Sequence, residues 1–521
     1  MFIDNNTEKA LGLDKVWKSL PISGQLGREY LENLEYKKEK KRLNLEYSEL
    51  SKMINVLKKE EAKILCTKQL LKNLKTLKNT FTKLRNDEVL DEIDVFELKY
   101  FLYHYNKIAE LWNFKMIKNL WKILDPKNLQ TYDFYIYDDY SKKIGKIRKR
   151  ILNLKKLREK IVKKICKEIG IEASEKIVVD KEEKKLIRKL LANKNFKKDK
   201  ETFSSIVFSV KNEEIDEVDR EIEMLILEKN KEKEVVLKNL SEKIKKHFKE
   251  IMAAYEKLKK LDFMIAKATF CLENQLKKPK ITNKERLVIK KGTHIFLKNE
   301  LSKLGLNYTP LDIEINKNIC IIYGSNMSGK TQALRTIGFI VGLAQAGFFV
   351  PAEKFEFKPF DFILFSIGEN LDEIGYSTFA QEILRINSVF KRKKEFGLAL
   401  IDEIARGTNH FEAQALSLAL IDEFKNLNSF VLMTTHLPGL LNLKNVEYYK
   451  TGGLIKEKIY KLKKLRLENK MENLKLINNL MNYRLEKEGD FTFDAINVAL
   501  LLGVDKKIIE KAKNYMKNEN R

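Results

Sequence analysis

Apolar positions from Leu11 to about Pro126 recur at spacings of three and four, with Phe96, Tyr100 and Tyr103 as an example and short breaks at Pro21, Gly24 and Gly27. That is the period of helices that bury one face, and it predicts a helical core domain over residues 1–135. After Pro126 no proline occurs until Pro279, and glycine stands only at Gly145 and Gly170, so very long helices can run without a breaker. Ile144, Ile147, Ile151, Leu154, Ile161 and Ile165 alternate by three and four with an interruption at Arg158, and Ile215, Val218, Ile222 and Leu225 repeat the pattern. Two helices with such narrow seams predict an antiparallel coiled-coil arm over residues 136–258. Its tip is expected between Gly170 and Asn212, where Ile206–Val210 reads as a short strand, and residues 259–289 return to the core.

From residue 290 the pattern changes to short, continuous apolar runs: Ile319–Tyr323, Phe396–Ile401 and Phe430–Thr434. Runs of this length, rich in branched residues and followed by helical segments, predict strands of a parallel sheet buried on both faces. An α/β domain is expected over 290–455. The last part, 456–521, holds a charged helical stretch from Tyr460 to Asn473, then a strand beginning near Tyr483 and two helices reaching Met516. Their apolar face is expected from Ala495, Val498, Ala499, Leu502, Val504, Ile508 and Ala512. The fold class is therefore mixed, helical first and α/β after.

The candidate chemistry sits where strand gives way to helix. Residues Gly324, Ser325, Asn326, Met327, Ser328, Gly329, Lys330 and Thr331 form Gly-x-x-x-x-Gly-Lys-Thr directly after the Ile319 run. A glycine-rich turn at a helix N-terminus points backbone N–H groups at one place, where the helix dipole also favours an anion. Lys330 then reaches the β- and γ-phosphates of a nucleotide and Thr331 turns its hydroxyl to Mg²⁺. The second run ends in Asp402-Glu403: Asp402 is suited to hold Mg²⁺, and Glu403 to orient or deprotonate an attacking water. The third leads to Thr435-His436, which brings an imidazole towards the γ-phosphate. Three strand ends meeting at one place predict an ATPase.

Several of these segments also resemble, in order and spacing, the ATPase domain of the MutS family: GSNMSGKT, then Phe339–Ala352, Gly375–Ile383, Leu400–Asn409 and Thr434–His436. Tyr255–Phe270 is similar to the family's segment before that domain, and residues 14–31 echo the start of its lever. The resemblance implies a P-loop domain of ABC/MutS type, a lever and clamp, and C-terminal helices that pair two subunits. It implies that Ser377 and Thr378 contact the γ-phosphate bound by the other subunit, with Arg406–Asn409 lining the same interface. Tyr308, in the loop beside the base, is a candidate to stack on adenine or simply a packed tyrosine. His294 stands where the family has Arg-His-Pro, with both flanking residues changed, and receives no role. ATP and Mg²⁺ are the implied cofactors, and the chain itself or a paralogue the implied dimer partner. Because the helical core begins almost at Met1, the chain reads as a short form without mismatch-reader and connector domains. The function expected is a dimeric ATPase that opens and closes a clamp on duplex or branched DNA, related to mismatch repair or recombination but not a simple mismatch sensor. The alternative is a reactivating factor that pries open a cobalamin-dependent amino-acid mutase without touching DNA.

Composition changes this picture little. A formal net charge of +27 suits an anionic partner such as nucleic acid or an acidic protein, and suits equally a chain rich in Lys, Asn and Ile whose spread lysines only solvate its helices. Cys66, Cys166, Cys271 and Cys320 are far apart, which suggests neither zinc site nor disulfide framework and fits a reducing cytoplasm. The start, MFIDNNTEKA, lacks the charged-then-apolar form of an export signal, and no run is long enough to span a membrane.

Overall fold

The computed structural model describes residues 1–366, 378–405, 408–455, 475, 478–487, 495–501 and 504–519. They fall into two compact units, one of Gly24–Leu26 with Thr67–Leu258, the other of Met1–Ser23, Gly27–Cys66 and everything from Lys259 onward.

In the first unit, helices Lys78–Arg85, Glu92–Trp112 and Lys118–Leu124 and the start of Phe248–Glu273 surround an aromatic core. Tyr255 meets Phe81 edge-on at 5.0 Å and Phe101 at 5.9 Å. Asp91 and Asp94 form a capping box that starts helix Glu92–Trp112 at an otherwise unsatisfied turn. Two longer helices, Lys142–Ile169 and Glu213–Lys246, pack along each other. Their direction is antiparallel, because Lys143 pairs with Glu228, Arg150 with Glu221 and Arg158 with Asp219. Leu154, Val218 and Ile222 are buried in the seam, with Ile151, Ile161 and Leu225 against them. The interruption at Arg158 is a polar pairing inside the seam: its guanidinium donates to Asp219 at 2.6 Å and also meets Glu175.

Between the two helices lies more structure than one expected strand. Strands β1 (Lys176–Asp180), β2 (Phe196–Glu201) and β3 (Ser205–Val210) form an antiparallel sheet in the order β1-β3-β2, and helix Lys184–Ala192 packs with it. Only β3 was legible in the sequence. The edge strand β2 buries just Phe196 and otherwise exposes charged residues, so it carries no apolar alternation to read.

The second unit holds two sheets. Strands β4 (Lys280–Ile281), β5 (Leu287–Gly292), β6 (Leu311–Ile315) and β8 (Lys354–Phe357) form the smaller, in the order β4-β8-β5-β6. The larger contains β7 (Ile319–Tyr323), β9 (Phe362–Ser366), β10 (Gly397–Asp402), β11 (Ser429–Thr435), β12 (Val446–Leu454) and β13 (Met481–Lys487). Its order is β13-β12-β7-β11-β10-β9, parallel except for the antiparallel β12–β13 edge. One face is covered by helices Thr378–Phe390 and His410–Phe424. Against the other lies helix Lys330–Gln345.

Residues 1–66, apart from Gly24–Leu26, belong to this unit and not to a domain ending near 135. The reason is close packing on the helix after the phosphate loop. A Cβ at Gly338 would stand 2.5 Å from Leu11, and one at Gly342 2.5 Å from Leu13, so bare backbone is what lets these leucines in. The N-terminal segment also borders β9, where Ile363 donates to the Phe2 carbonyl at 2.8 Å.

At the C-terminus, helices Ala495–Leu501 and Lys506–Glu519 follow β13. Their apolar face differs from the expected one: Val498 and Ile509 are buried, whereas Val504 is 37% and Ile508 59% exposed. Leu502 and the charged stretch Tyr460–Asn473 lie outside the described residues. No helix among the described residues is long and apolar enough to cross a membrane.

Candidate nucleotide site

The order β7-β11-β10 sets three adjacent parallel strand ends side by side, and the expected site residues emerge from them. The first turn of helix Lys330–Gln345 follows Gly329, whose φ of 92° is open to glycine and strained for other residues. Gly324 (φ 147°) approaches β12 so closely that a Cβ there would lie 2.0 Å from the Thr451 hydroxyl. That hydroxyl donates to Ser328 Oγ at 2.6 Å, tying the loop to the neighbouring strand. Thr451 was not legible as a site residue, because nothing local in its strand marks it.

Lys330 is buried and donates to the carbonyls of Gly324 at 2.9 Å and Ser325 at 3.1 Å, with Glu403 Oε1 at 3.6 Å. Burial pulls its ammonium below the ordinary lysine range, and the nearby carboxylates of Glu403 and Asp402 oppose that pull. Asp402 is held from two sides: Thr331 Oγ1 donates to its carboxylate at 2.9–3.0 Å and Thr434 Oγ1 at 2.7 Å. Thr434 also accepts the Glu403 backbone N–H at 3.0 Å, so one hydroxyl holds the Asp402 carboxylate and the Glu403 backbone. Glu403 itself has a left-handed backbone (φ 54°), as do Ala405 (60°) and Met327 (68°). For non-glycine residues such positions cost on the order of 1 kcal/mol each. His436 Nδ1 stands 3.4 Å from Glu403 Oε1 and is half exposed. Lysine, two acids, a hydroxyl pair and an imidazole are thus brought together.

These groups open into a cleft of about 550 Å³ lined by the loop from Asn326 to Thr331, Asp402, Glu403 and an apolar end of Leu297, Leu301, Tyr308 and Leu311. Tyr308 is on this wall, and its hydroxyl accepts the backbone N–H of His294 at 2.8 Å. Tyr483, at the start of β13, lines the cleft as well and would be 3.2 Å from a Cβ on Gly329. Sequence reading placed it in a strand but not at the site, because β13 reaches the loop only through its pairing with β12. His294 caps helix Ile295–Lys303, stacks on Phe339 at 4.4 Å and contacts the Leu11 carbonyl at 3.1 Å.

Ser377, Arg406 and Gly407 lie outside the described residues, and the side chain of Thr378, first residue of its helix, does too. Asn409 caps helix His410–Phe424 by accepting the Glu412 N–H. Ala405 N–H donates to the buried Glu382 at 3.1 Å, which joins the loop after the acidic pair to the helix after the Gly375–Ser377 stretch.

A Gly-rich loop, a threonine–aspartate pair and a following glutamate thus stand together, and the model of MutS domain V matches residues 320–519, which contain all of them. Over these residues the chain is similar to the MutS family. Among similar MutS-family proteins, the endonuclease MutS2 of Caldanaerobacter subterraneus is 24% identical over 98% of this chain and 64% of its own. MutS2 of Carboxydothermus hydrogenoformans is 29% identical over 58% of this chain and 36% of its own length. The DNA mismatch repair protein MSH3 of Saccharomyces cerevisiae is 31% identical over 54% of this chain and 27% of its own. The chain thus spans less than two thirds of the length of each of these relatives.

Proposed function

We propose that the protein is a dimeric, Mg²⁺-dependent ATPase whose nucleotide cycle opens and closes a clamp on DNA. The observation that carries the ATPase reading is Asp402, fixed between Thr331 and Thr434 at the mouth of the phosphate loop, with Glu403 and Lys330 beside it. DNA is supported by the names of the relatives, an endonuclease and a mismatch repair protein, and by the basic charge of the chain.

The residues present fit Mg²⁺. Among the described residues no group of three or more His, Cys, Asp or Glu could cage a metal, whereas a single carboxylate beside a hydroxyl suits an ion that keeps its waters and takes its other ligands from phosphate oxygens. Thr331 and Asp402 would hold it, and the ion would supply neutralisation of the phosphate charge. Lys330 exchanges the loop carbonyls for phosphate oxygens, an anionic partner that repays the desolvation of its ammonium. Glu403, held in its strained backbone and steered by Thr434, orients and deprotonates the attacking water, while His436 stabilises the glutamate and the γ-phosphate side. Tyr308 and the leucines beside it receive the base.

A second subunit completes the site in this reading, with Ser377 and Thr378 binding the γ-phosphate in trans, so that hydrolysis loosens the pairing. Exposed apolar side chains favour a partner: Met327 on the phosphate loop is 55% exposed, Phe411 85%, and Ile508 and Tyr515 on the last helix 59% and 72%. The paired helices Lys142–Ile169 and Glu213–Lys246 act as the arm of the clamp, and the sheet between them as its tip.

The test is a pair of substitutions. Lys330→Ala should weaken ATP binding by about two decades, the loss of one or two charge-assisted hydrogen bonds. Glu403→Gln should bind ATP and accumulate a stable dimer while turnover falls at least a hundredfold. Wild-type turnover in Glu403→Gln would remove Glu403 from the water-activating role. ATPase stimulation by a mutase, without DNA binding, would favour the protein-remodelling alternative.

A further inference from the structure

The lysines are not uniformly spread once the helices are formed. Helix Lys142–Ile169 has thirteen Lys and Arg against only Glu159 and Glu168, while its neighbour Glu213–Lys246 mixes eleven acids with eight bases. On the first helix a stripe runs from Lys142 to Lys167 in alternating steps of four and three residues and is lysine at every step but Asn153. All of its residues are exposed. At 100° per residue the stripe lies about 150° round the helix from the seam residues Ile147 and Leu154, so it faces away from the neighbouring helix. The basic residues that do pair on this helix are others, namely Lys143, Arg148, Arg150 and Arg158. Among the described residues, no stripe lysine enters an ion pair.

A merely solvated face would gain from interspersed glutamates. Here neighbouring lysines three and four apart repel, in a helix where acids could have relieved them. We propose that this stripe is a binding surface for the phosphate backbone of duplex DNA, an inference that rests on the DNA reading above and locates one of its contacts. Complementarity supports it. The stripe is about 38 Å long at 1.5 Å per residue, and a duplex presents about one charge per 1.7 Å of axis, roughly twenty over that length. Phosphates therefore outnumber the seven lysines even if only one side of the duplex faces them. Point charges without planar donors or base-reading side chains make the contact independent of sequence.

The experiment compares the full chain with two charge-matched variants, binding a fluorescent 30-base-pair duplex from 50 to 200 mM salt. One replaces the stripe residues Lys146, Lys149, Lys156, Lys160 and Lys163 by Gln. The other replaces exposed lysines of the segment 40–72, Lys41, Lys52, Lys58, Lys59 and Lys72, by Gln. The stripe variant should bind at least about tenfold more weakly at 100 mM, with a log–log salt slope shallower by about 0.9 for each lysine that had met a phosphate. The control should stay within about twofold, and far-UV circular dichroism should show both variants as helical as the parent. Equal weakening of the two variants, or an unchanged stripe variant on a parent that does bind duplex, would overturn the stripe and leave the DNA reading standing. A parent that binds no duplex at any salt would overturn the DNA reading itself. Binding of polyglutamate in place of duplex, lost with the stripe, would reassign the surface to an acidic protein.

Discussion

His294 is buried against Phe339, and both of its ring nitrogens are engaged. Replacing it with a residue that cannot titrate isolates one acid-sensitive contact behind Tyr308, which lines the candidate cleft. Its Nε2 faces the Leu11 carbonyl at 3.1 Å and its Nδ1 accepts the Leu297 N–H at 3.4 Å, an arrangement that needs the neutral ring with the proton on Nε2. Burial is the largest influence on the imidazole and, with Lys15 and Arg335 nearby, holds its pKa down to about 4 against the help of the Leu11 carbonyl. A depressed histidine stabilises the fold fully above its unfolded value of about 6.5. That contribution falls by about 1.4 kcal/mol per pH unit below 6.5 and is gone near pH 4, about 3 kcal/mol in all. His294→Asn keeps a capping oxygen but loses the stack and the Leu11 hydrogen bond, so at pH 7.5 it should be about 2–3 kcal/mol less stable than wild type. By pH 4 the gap should close towards zero, because wild type has by then lost its own histidine contribution. Urea unfolding monitored through Trp17, which packs against Phe348 in the same unit, gives the gap. An NMR titration of His294 gives the pKa directly. A gap that stays constant from pH 7 to 4.5, or a His294 that titrates near 6.5, would refute the reasoning.

Thr434→Val removes the hydroxyl that holds the Asp402 carboxylate and the Glu403 backbone N–H while keeping the shape of a buried position. ATP turnover should fall about 10- to 100-fold with KM changed less than about threefold, as expected for a group that positions water-activating residues and does not bind nucleotide itself. A proportionate rise in KM would show that it acts on binding instead. For the action in trans, mixing Lys330→Ala with Ser377→Ala subunits should leave one of two composite sites intact and restore part of the activity that each homodimer lacks. No recovery in mixed dimers shown to form would place Ser377 in cis or outside the site.

The residues of the candidate site were legible along the chain because their pattern is local. A strand, a glycine turn and a helix N-terminus are consecutive, so Gly324 to Thr331 announce a phosphate loop by themselves, and Asp402-Glu403 and His436 each end an apolar run. The long paired helices were legible too, through a seam whose period survives even the polar interruption at Arg158. What the sequence could not settle is how distant segments meet. Thr451 and Tyr483 reach the loop only because β12 and β13 extend the sheet beyond β7, a matter of strand order that no spacing encodes. Thr434 gains its hold on both acids from β11 lying beside β10, which sets two strand ends in register. The first 66 residues, apart from Gly24–Leu26, join the unit that holds the candidate site through Leu11 and Leu13 seated on Gly338 and Gly342, a close approach between segments more than 300 positions apart. The lysine stripe was present as letters but became a surface only when the neighbouring helix took the seam, because that contact decides which side of Lys142–Ile169 is left to solvent. Short-range order follows from backbone periodicity and turn chemistry, whereas long-range neighbours are chosen by which apolar faces can be buried together.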